Sequence, residues 1–237
     1  MKKGKAVNTW RKFLAEGGLD KPNVKVFLDM DGVLVAFQKG LMDVINRDIA
    51  SDEVFTGSRS KKIKKVREYQ GPDRIYPLTS EFMTALLRKR DMREKLTPWE
   101  NLIKKYQWSP ITKNFDHWFN LEKAEGCDEL VKGCIELVGP QNVYILSAPV
   151  DSASIDAKKA WLEKHFPLFP PERVFIRQDK EAIPTMDMFK SFQCILIDDR
   201  EKYKKKFEST GGIGIVHSPP TSLAGTNNSL QQLSEIL

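Results

Sequence analysis

Two short segments of this 237-residue chain deliver paired carboxylates to places where they could do chemistry. In Val24-Lys25-Val26-Phe27-Leu28-Asp29-Met30-Asp31-Gly32-Val33 an apolar run ends in Asp29 and Asp31, two residues apart. Side chains two apart on extended backbone face the same way, so both acids can address one point. Gly32 permits the turn that a Cβ would obstruct. Asp-x-Asp-Gly also occurs in plain turns and calcium loops, but no third acidic ligand or later Glu follows at calcium-loop spacing. In Cys194-Ile195-Leu196-Ile197-Asp198-Asp199-Arg200 a second apolar run ends in adjacent acids. Adjacent carboxylates repel unless a cation joins them. Alone, Asp198-Asp199 also reads as an N-cap pair before the Glu201–Glu208 helical pattern. If the two runs are parallel strands of one sheet, Asp29, Asp31, Asp198 and Asp199 converge, and such an oxygen-only ligand set suits Mg²⁺.

Two further residues complete a set. Tyr144-Ile145-Leu146-Ser147-Ala148 ends in a hydroxyl that can hydrogen-bond a phosphoryl oxygen. Lys158, on the helical pattern that follows, can neutralise charge building on a transferring phosphoryl group. Each has a plainer reading, Ser147 as an N-cap and Lys158 as a surface lysine.

These residues need a scaffold that presents strand ends on one edge. Val24–Leu28, Val143–Leu146, Val174–Ile176 and Cys194–Ile197 read as strands buried on both faces, with Ile213–Val216 a fifth after the Gly211-Gly212 turn. Helical patterns over Asp128–Leu137, Ile155–His165, Glu201–Glu208 and Leu230–Leu237 separate them, and Ser218–Ser229 reads as a polar loop. The alternation predicts an α/β fold, a Rossmann-like doubly wound parallel sheet. Residues 38–126 break it. This Lys-rich stretch shows helical patterns over Lys61–Tyr69, Ser80–Lys89 and Trp99–Tyr106, and it is too long for a connection. It is expected to be a mostly helical cap inserted after strand 1 and placed as a lid over a catalytic core of 23–37 and 127–237.

Composition narrows the class. The chain is 41% hydrophobic and 30% charged, ordinary for a soluble globular protein, and no stretch approaches a membrane span. The basic N-terminus leads into no apolar signal core, and three cysteines are too few for a disulfide framework or a four-ligand zinc site. A cytoplasmic location is the expectation. The net charge of +6 is concentrated in residues 1–25, where seven Lys and Arg face Glu16 and Asp20. A basic N-terminal extension, residues 1–22, leaves nucleic acid as a partner to consider, although a solvated surface is favoured.

The order Asp29-x-Asp31-Gly32-Val33, Ser147, Lys158, Asp198-Asp199 resembles the haloacid dehalogenase superfamily of Asp-nucleophile phosphohydrolases. Phe37, Lys158-x-x-Trp161, Arg177-x-Asp179-Lys180 and Gly211-Gly212-Ile213-Gly214-Ile215 resemble its 5′(3′)-deoxyribonucleotidase branch and related bacteriophage and bacterial members. By that resemblance Asp29 is the nucleophile and Asp31 the general acid and base. Asp29, the Asp31 carbonyl, Asp198 and Asp199 hold Mg²⁺, and Ser147, Ala148 and Lys158 bind phosphate. Phe37 matches the position where the nucleotidases stack a base; Trp118 is the candidate second wall, with Arg177 beside the pocket, and lid packing is the alternative for both rings. The chain departs from the branch at Ala36, where an Asp is usual, and at Ser147, where Thr is usual. The expected substrate is a small phosphorylated metabolite, a nucleoside monophosphate first. A phosphatase for nucleic-acid ends and a catalytically silent binding protein are the alternatives, and a homodimer is compatible with these features.

Overall fold

In the computed structural model the described residues are 23–51, 53–70 and 77–237. The strands are β1 (Val24–Leu28), β2 (Val143–Ser147), β3 (Val174–Ile176), β4 (Gln193–Asp198) and β5 (Ile213–Val216). They form one parallel sheet in the order β3-β2-β1-β4-β5. The helices are α1 (Phe37–Ala50), α2 (Gly57–Gln70), α3 (Ser80–Asp91), α4 (Pro98–Tyr106), α5 (Phe115–Phe119), α6 (Cys127–Val138), α7 (Ser152–His165), α8 (Glu201–Glu208) and α9 (Leu223–Ile236). The doubly wound α/β class expected from the sequence is what forms, with β1 at its centre.

Burial on both faces of the sheet explains the continuous apolar runs. Phe27, Tyr144, Leu146, Cys194 and Leu196 share one face with Ile183, Phe189 and Phe207. Phe27 stacks on Tyr144 at 5.2 Å and meets Phe189 edge-on at 5.1 Å. Val26, Leu28, Ile145, Ile195 and Ile197 fill the opposite face, and α6 packs on β1 and β2 and against α9. Three strands have the bounds read from sequence; β2 gains Ser147, and β4 gains Gln193 and Asp198. The chain leaves β1 for β2 and β3 on one side and returns to β4 and β5 on the other. The order therefore reverses between β1 and β4, where such sheets bind ligands at their carboxyl edge.

The polar stretch 218–229 is not a loop throughout. Helix α9 starts at Leu223, capped by the Ser222 hydroxyl accepting from the Gly225 N–H. Its small residues serve close packing: the Thr226 hydroxyl donates to the Gly126 carbonyl, and Ser229 lies 3.1 Å from His217 Nδ1. Composition hides the start of such a helix, because the buried face there carries Gly225, Thr226 and Ser229, and a large apolar side chain, Leu233, comes only later.

The described chain divides into two units: 23–35, 123–149 and 162–237, carrying the sheet, and Ala36–Glu122 with Val150–Trp161. The sequence reading kept 150–161 with the core. In the structure the first ten residues of α7 group with the inserted unit, where Trp161 Nε1 donates to the Leu121 carbonyl and Lys158 Nζ lies 5.2 Å from the Trp118 ring centre. Within that unit the buried Asp48 joins three helices. Arg59 Nη2 of α2 bonds both its oxygens at 2.7 and 2.6 Å, and the Tyr106 hydroxyl of α4 donates to Oδ2. The basic extension, residues 1–22, lies outside the described residues.

His217 is fully buried, and burial pushes its pKa down to about 4. An unfolded chain takes up that proton near 6.5, so stability is complete above pH 6.5 and declines as the pH falls to 4. The ceiling of this contribution is about 3 kcal/mol. In His217→Gln, urea midpoints measured from pH 7 to 4 are expected to fall less steeply than in wild type, whatever the variant's stability at pH 7.

Candidate active site

The register sets the site. Leu28 of β1 lies beside Ile197 of β4, and the Asp29 N–H donates to the Ile197 carbonyl at 3.0 Å. The next residues, Asp29 and Asp198, therefore emerge side by side at the carboxyl edge. Carboxylate oxygens of Asp29, Asp198 and Asp199 lie within 4.8 Å of one another. Asp29 and Asp198 are buried, and Asp199 is partly so. After Asp29 the chain folds back on itself: the Val33, Leu34 and Val35 N–H groups all point to the Met30 carbonyl, and Gly32 N–H donates to Val35. Gly32 sits at φ +87°, and a Cβ there would fall well inside contact distance of the Asp199 carboxylate. That glycine therefore answers two demands, a left-handed backbone and the close approach of the two acid-bearing loops.

Three acids this close need a counter-charge, and the chain supplies one. Lys180, buried, reaches Asp29 Oδ1 at 2.8 Å and Asp198 Oδ2 at 2.7 Å. Burial alone lowers an ammonium pKa, but the charges of Asp198 and then Asp29 outweigh it and hold Lys180 above its ordinary value. The compensation is incomplete. Burial, countered by Lys180, leaves the Asp198 carboxyl above the usual range, and burial with the charges of Asp198 and Asp29 pushes Asp199 well above it. Asp198 Oδ1 also accepts from the Arg200 N–H at 2.9 Å, so the pair turns the chain toward α8 without being its N-cap residue, which is Arg200. Three carboxylates against one ammonium leave an excess of negative charge on hard oxygen donors. This set fits a small divalent cation such as Mg²⁺.

The other expected residues fall in both units. Ser147 ends β2 on the same edge, fully buried, followed by Ala148. Arg177, just past β3, donates its N–H to the Ser147 carbonyl at 2.8 Å. Its guanidinium is spent on a two-pronged pair with Asp179, at 2.8 and 2.6 Å, rather than held out for a ligand. In the inserted unit Phe37, the first residue of α1, stacks on Trp118 at 5.3 Å and on Trp108 at 6.2 Å. Trp118 does not offer an open wall. It is 1% exposed, with Nε1 donating to the Ile111 carbonyl and Lys158 over its ring. The packing alternative holds for that ring, and Trp108, 36% exposed, is the accessible aromatic beside Phe37.

Lys180 is the residue that sequence reasoning quoted without a role. Lysine is the commonest charge in this chain, and only the turn of 180–185 beneath the edge brings this one to the acids. A signal was present in Arg177-x-Asp179-Lys180, where two of the three charges satisfy each other and leave the third to look elsewhere.

No protein-family model matches the chain, and no curated protein matches it. Among solved structures, it is similar to a haloacid dehalogenase-like hydrolase from Streptococcus pneumoniae, at 13% identity and TM-score 0.46, over 91% of this chain and 99% of that one. A second likeness is to a protein from Bacillus subtilis described as a HAD-hydrolase and solved bound to magnesium, at 14% identity and TM-score 0.47, over 92% and 99%. A third is to another Streptococcus pneumoniae hydrolase, at 12% identity and TM-score 0.48, over 91% and 99%.

A cation that binds the acid cluster stabilises the folded state by an amount set by its concentration, about 2.7 kcal/mol at one hundred times Kd. Adding MgCl₂ is expected to raise the thermal midpoint of the wild type. The rise should shrink in Asp199→Asn and in Gly32→Ala, where the new methyl displaces the Asp199 carboxylate. Equal rises in all three proteins would place the ion elsewhere.

Proposed function

We propose that the chain is a phosphomonoester hydrolase of the haloacid dehalogenase type, acting through an aspartyl-phosphate on a nucleoside monophosphate. The observation that carries this reading is the meeting of Asp29, Asp198 and Asp199 around Lys180 at the carboxyl edge of the sheet, with Asp31 two residues on and Ser147 at the end of the neighbouring strand.

Asp29 is the nucleophile. Its carboxylate attacks phosphorus, the bond to the leaving oxygen breaks, and Asp31 gives that oxygen a proton. Asp31 then takes a proton from the water that attacks the aspartyl-phosphate, which releases inorganic phosphate and restores the Asp29 carboxylate. Lys180, paired with Asp29 Oδ1, fixes the direction of its carboxylate. The Ser147 hydroxyl and the Ala148 N–H take phosphoryl oxygens. Mg²⁺ held by Asp29, the Asp31 carbonyl, Asp198 and Asp199 would screen the anionic phosphate from the anionic nucleophile. Phe37 and Trp108 are the proposed contacts for a planar base, with Trp118 as the support behind Phe37.

Phosphate release from dUMP, dTMP and p-nitrophenyl phosphate is the test. Asp29→Asn is expected to abolish it, and Asp31→Asn to remove most of it. Lys180→Met is expected to lower kcat at least 100-fold, the scale of losing one electrostatic contact to the reacting group. Undiminished turnover in Asp29→Asn overturns the nucleophile assignment. Hydrolysis of the chromogenic ester with none of the nucleotides overturns the substrate assignment alone.

A further inference from the structure

The +6 of the whole chain conceals an uneven division. The inserted unit, 36–122 with 150–161, carries 19 Lys and Arg against 14 Asp and Glu. The sheet-bearing residues 23–35, 123–149 and 162–237 carry 13 against 16. Much of the excess in the inserted unit sits on two helices whose contacts place them side by side. Tyr69 of α2 stacks on Trp99 of α4 at 5.3 Å, and Arg59 Nε reaches the Tyr106 hydroxyl at 3.5 Å. Lys62 Nζ donates to Ser109 just beyond α4. The late end of α2 thus meets the early end of α4, so the helices run antiparallel.

Only Ile63, Val66 and Gln70 of α2 are buried. Lys61, Lys64 and Lys65 are exposed on it, as are Lys104 and Lys105 on α4. Of these five only Lys64 has an ion pair among the described residues, with Glu68 at 3.8 Å. The last turn of α4 accounts for Lys104 and Lys105, since cations are favourable at a helix C-terminus. It does not account for α2, where Lys61 is three residues from Lys64 and four from Lys65. Like charges at those spacings repel on a helix. A repulsive lysine row lies beside a second row, with Tyr69, 53% exposed, at its end. That combination gives phosphates a charged track and a base a face to stack on. From Lys61 to Tyr69 the track rises about 12 Å along the helix.

We infer that the outer face of α2 and α4 binds single-stranded nucleic acid, through the lysine row for phosphates and Tyr69 for a base. This face does not depend on the phosphatase reading, since it includes none of the acids at the sheet edge.

Fluorescence anisotropy of a labelled 12-nucleotide oligothymidylate with the full chain, from 50 to 200 mM NaCl, tests the inference. Each phosphate contact contributes about 0.7 to the slope of log K against log salt for a single strand. Lys61→Gln/Lys65→Gln is expected to reduce that slope by about 1.4, with an unchanged far-ultraviolet circular dichroism spectrum. Tyr69→Ala is expected to weaken binding several-fold and leave the slope alone. Binding that survives both changes but is lost in Lys2→Gln/Lys3→Gln/Lys5→Gln overturns the inference in favour of the N-terminal extension. Binding to phosphatidylserine vesicles without binding to the oligonucleotide overturns it in favour of a membrane surface. No binding by the wild type at 50 mM NaCl also overturns it.

Discussion

Charge balance at one edge of the sheet is the constraint on which the rest depends. Two parallel strands in direct register bring carboxylates together within 4.8 Å, and hydrophobic burial of both sheet faces forces them into a region with little water. Packing drives that meeting, because residues such as Phe27, Leu28, Leu196 and Ile197 cannot be buried without carrying the acids along. Breaking up a cluster of this kind by removing its cation leaves uncompensated buried charge, which costs several kcal/mol. Lys180 is therefore part of the fold as well as of the acid cluster. A bound divalent cation would complete a neutralisation that the lysine begins.

The same constraint explains the turn after β1. The chain must leave the strand, reverse over three N–H groups that converge on the Met30 carbonyl, and pass close to Asp199. A side chain at position 32 is incompatible with both the backbone angle and the approach. One glycine thus couples local conformation to the spacing of acids more than 160 residues apart.

How much of this was legible in the sequence depended on what kind of force placed each residue. The strands were legible because burial on both faces writes itself as short unbroken apolar runs, and the acids because they terminate those runs. Lys158 and Ser147 could be singled out by type and spacing, and Phe37 by resemblance alone. The role of Lys180 could not, since an ammonium among many lysines is distinguished only by where a turn carries it. Trp118 stayed open between two readings for a related reason. A large ring reads equally as a wall or as filling until a neighbour such as Lys158 or Phe37 is seen to cover it. Helix α9 was half hidden because close packing selects small residues, which carry no hydrophobic signature. The shared allegiance of 150–161 was invisible, since a continuous helix gives no sign of where its partners change.

Helix α2 is held by an unusual economy of means. Two arginines do much of the work of a hydrophobic stripe: Arg59 grips the Asp48 carboxylate, and Arg67 bonds the Asp48 carbonyl through Nη2 at 2.6 Å. Such an anchor leaves most positions of the helix without a structural duty. Related chains could exchange lysines there for acids or neutral residues and keep the same helix in the same place. The character of this exterior could then drift from one relative to the next while the interior stayed fixed.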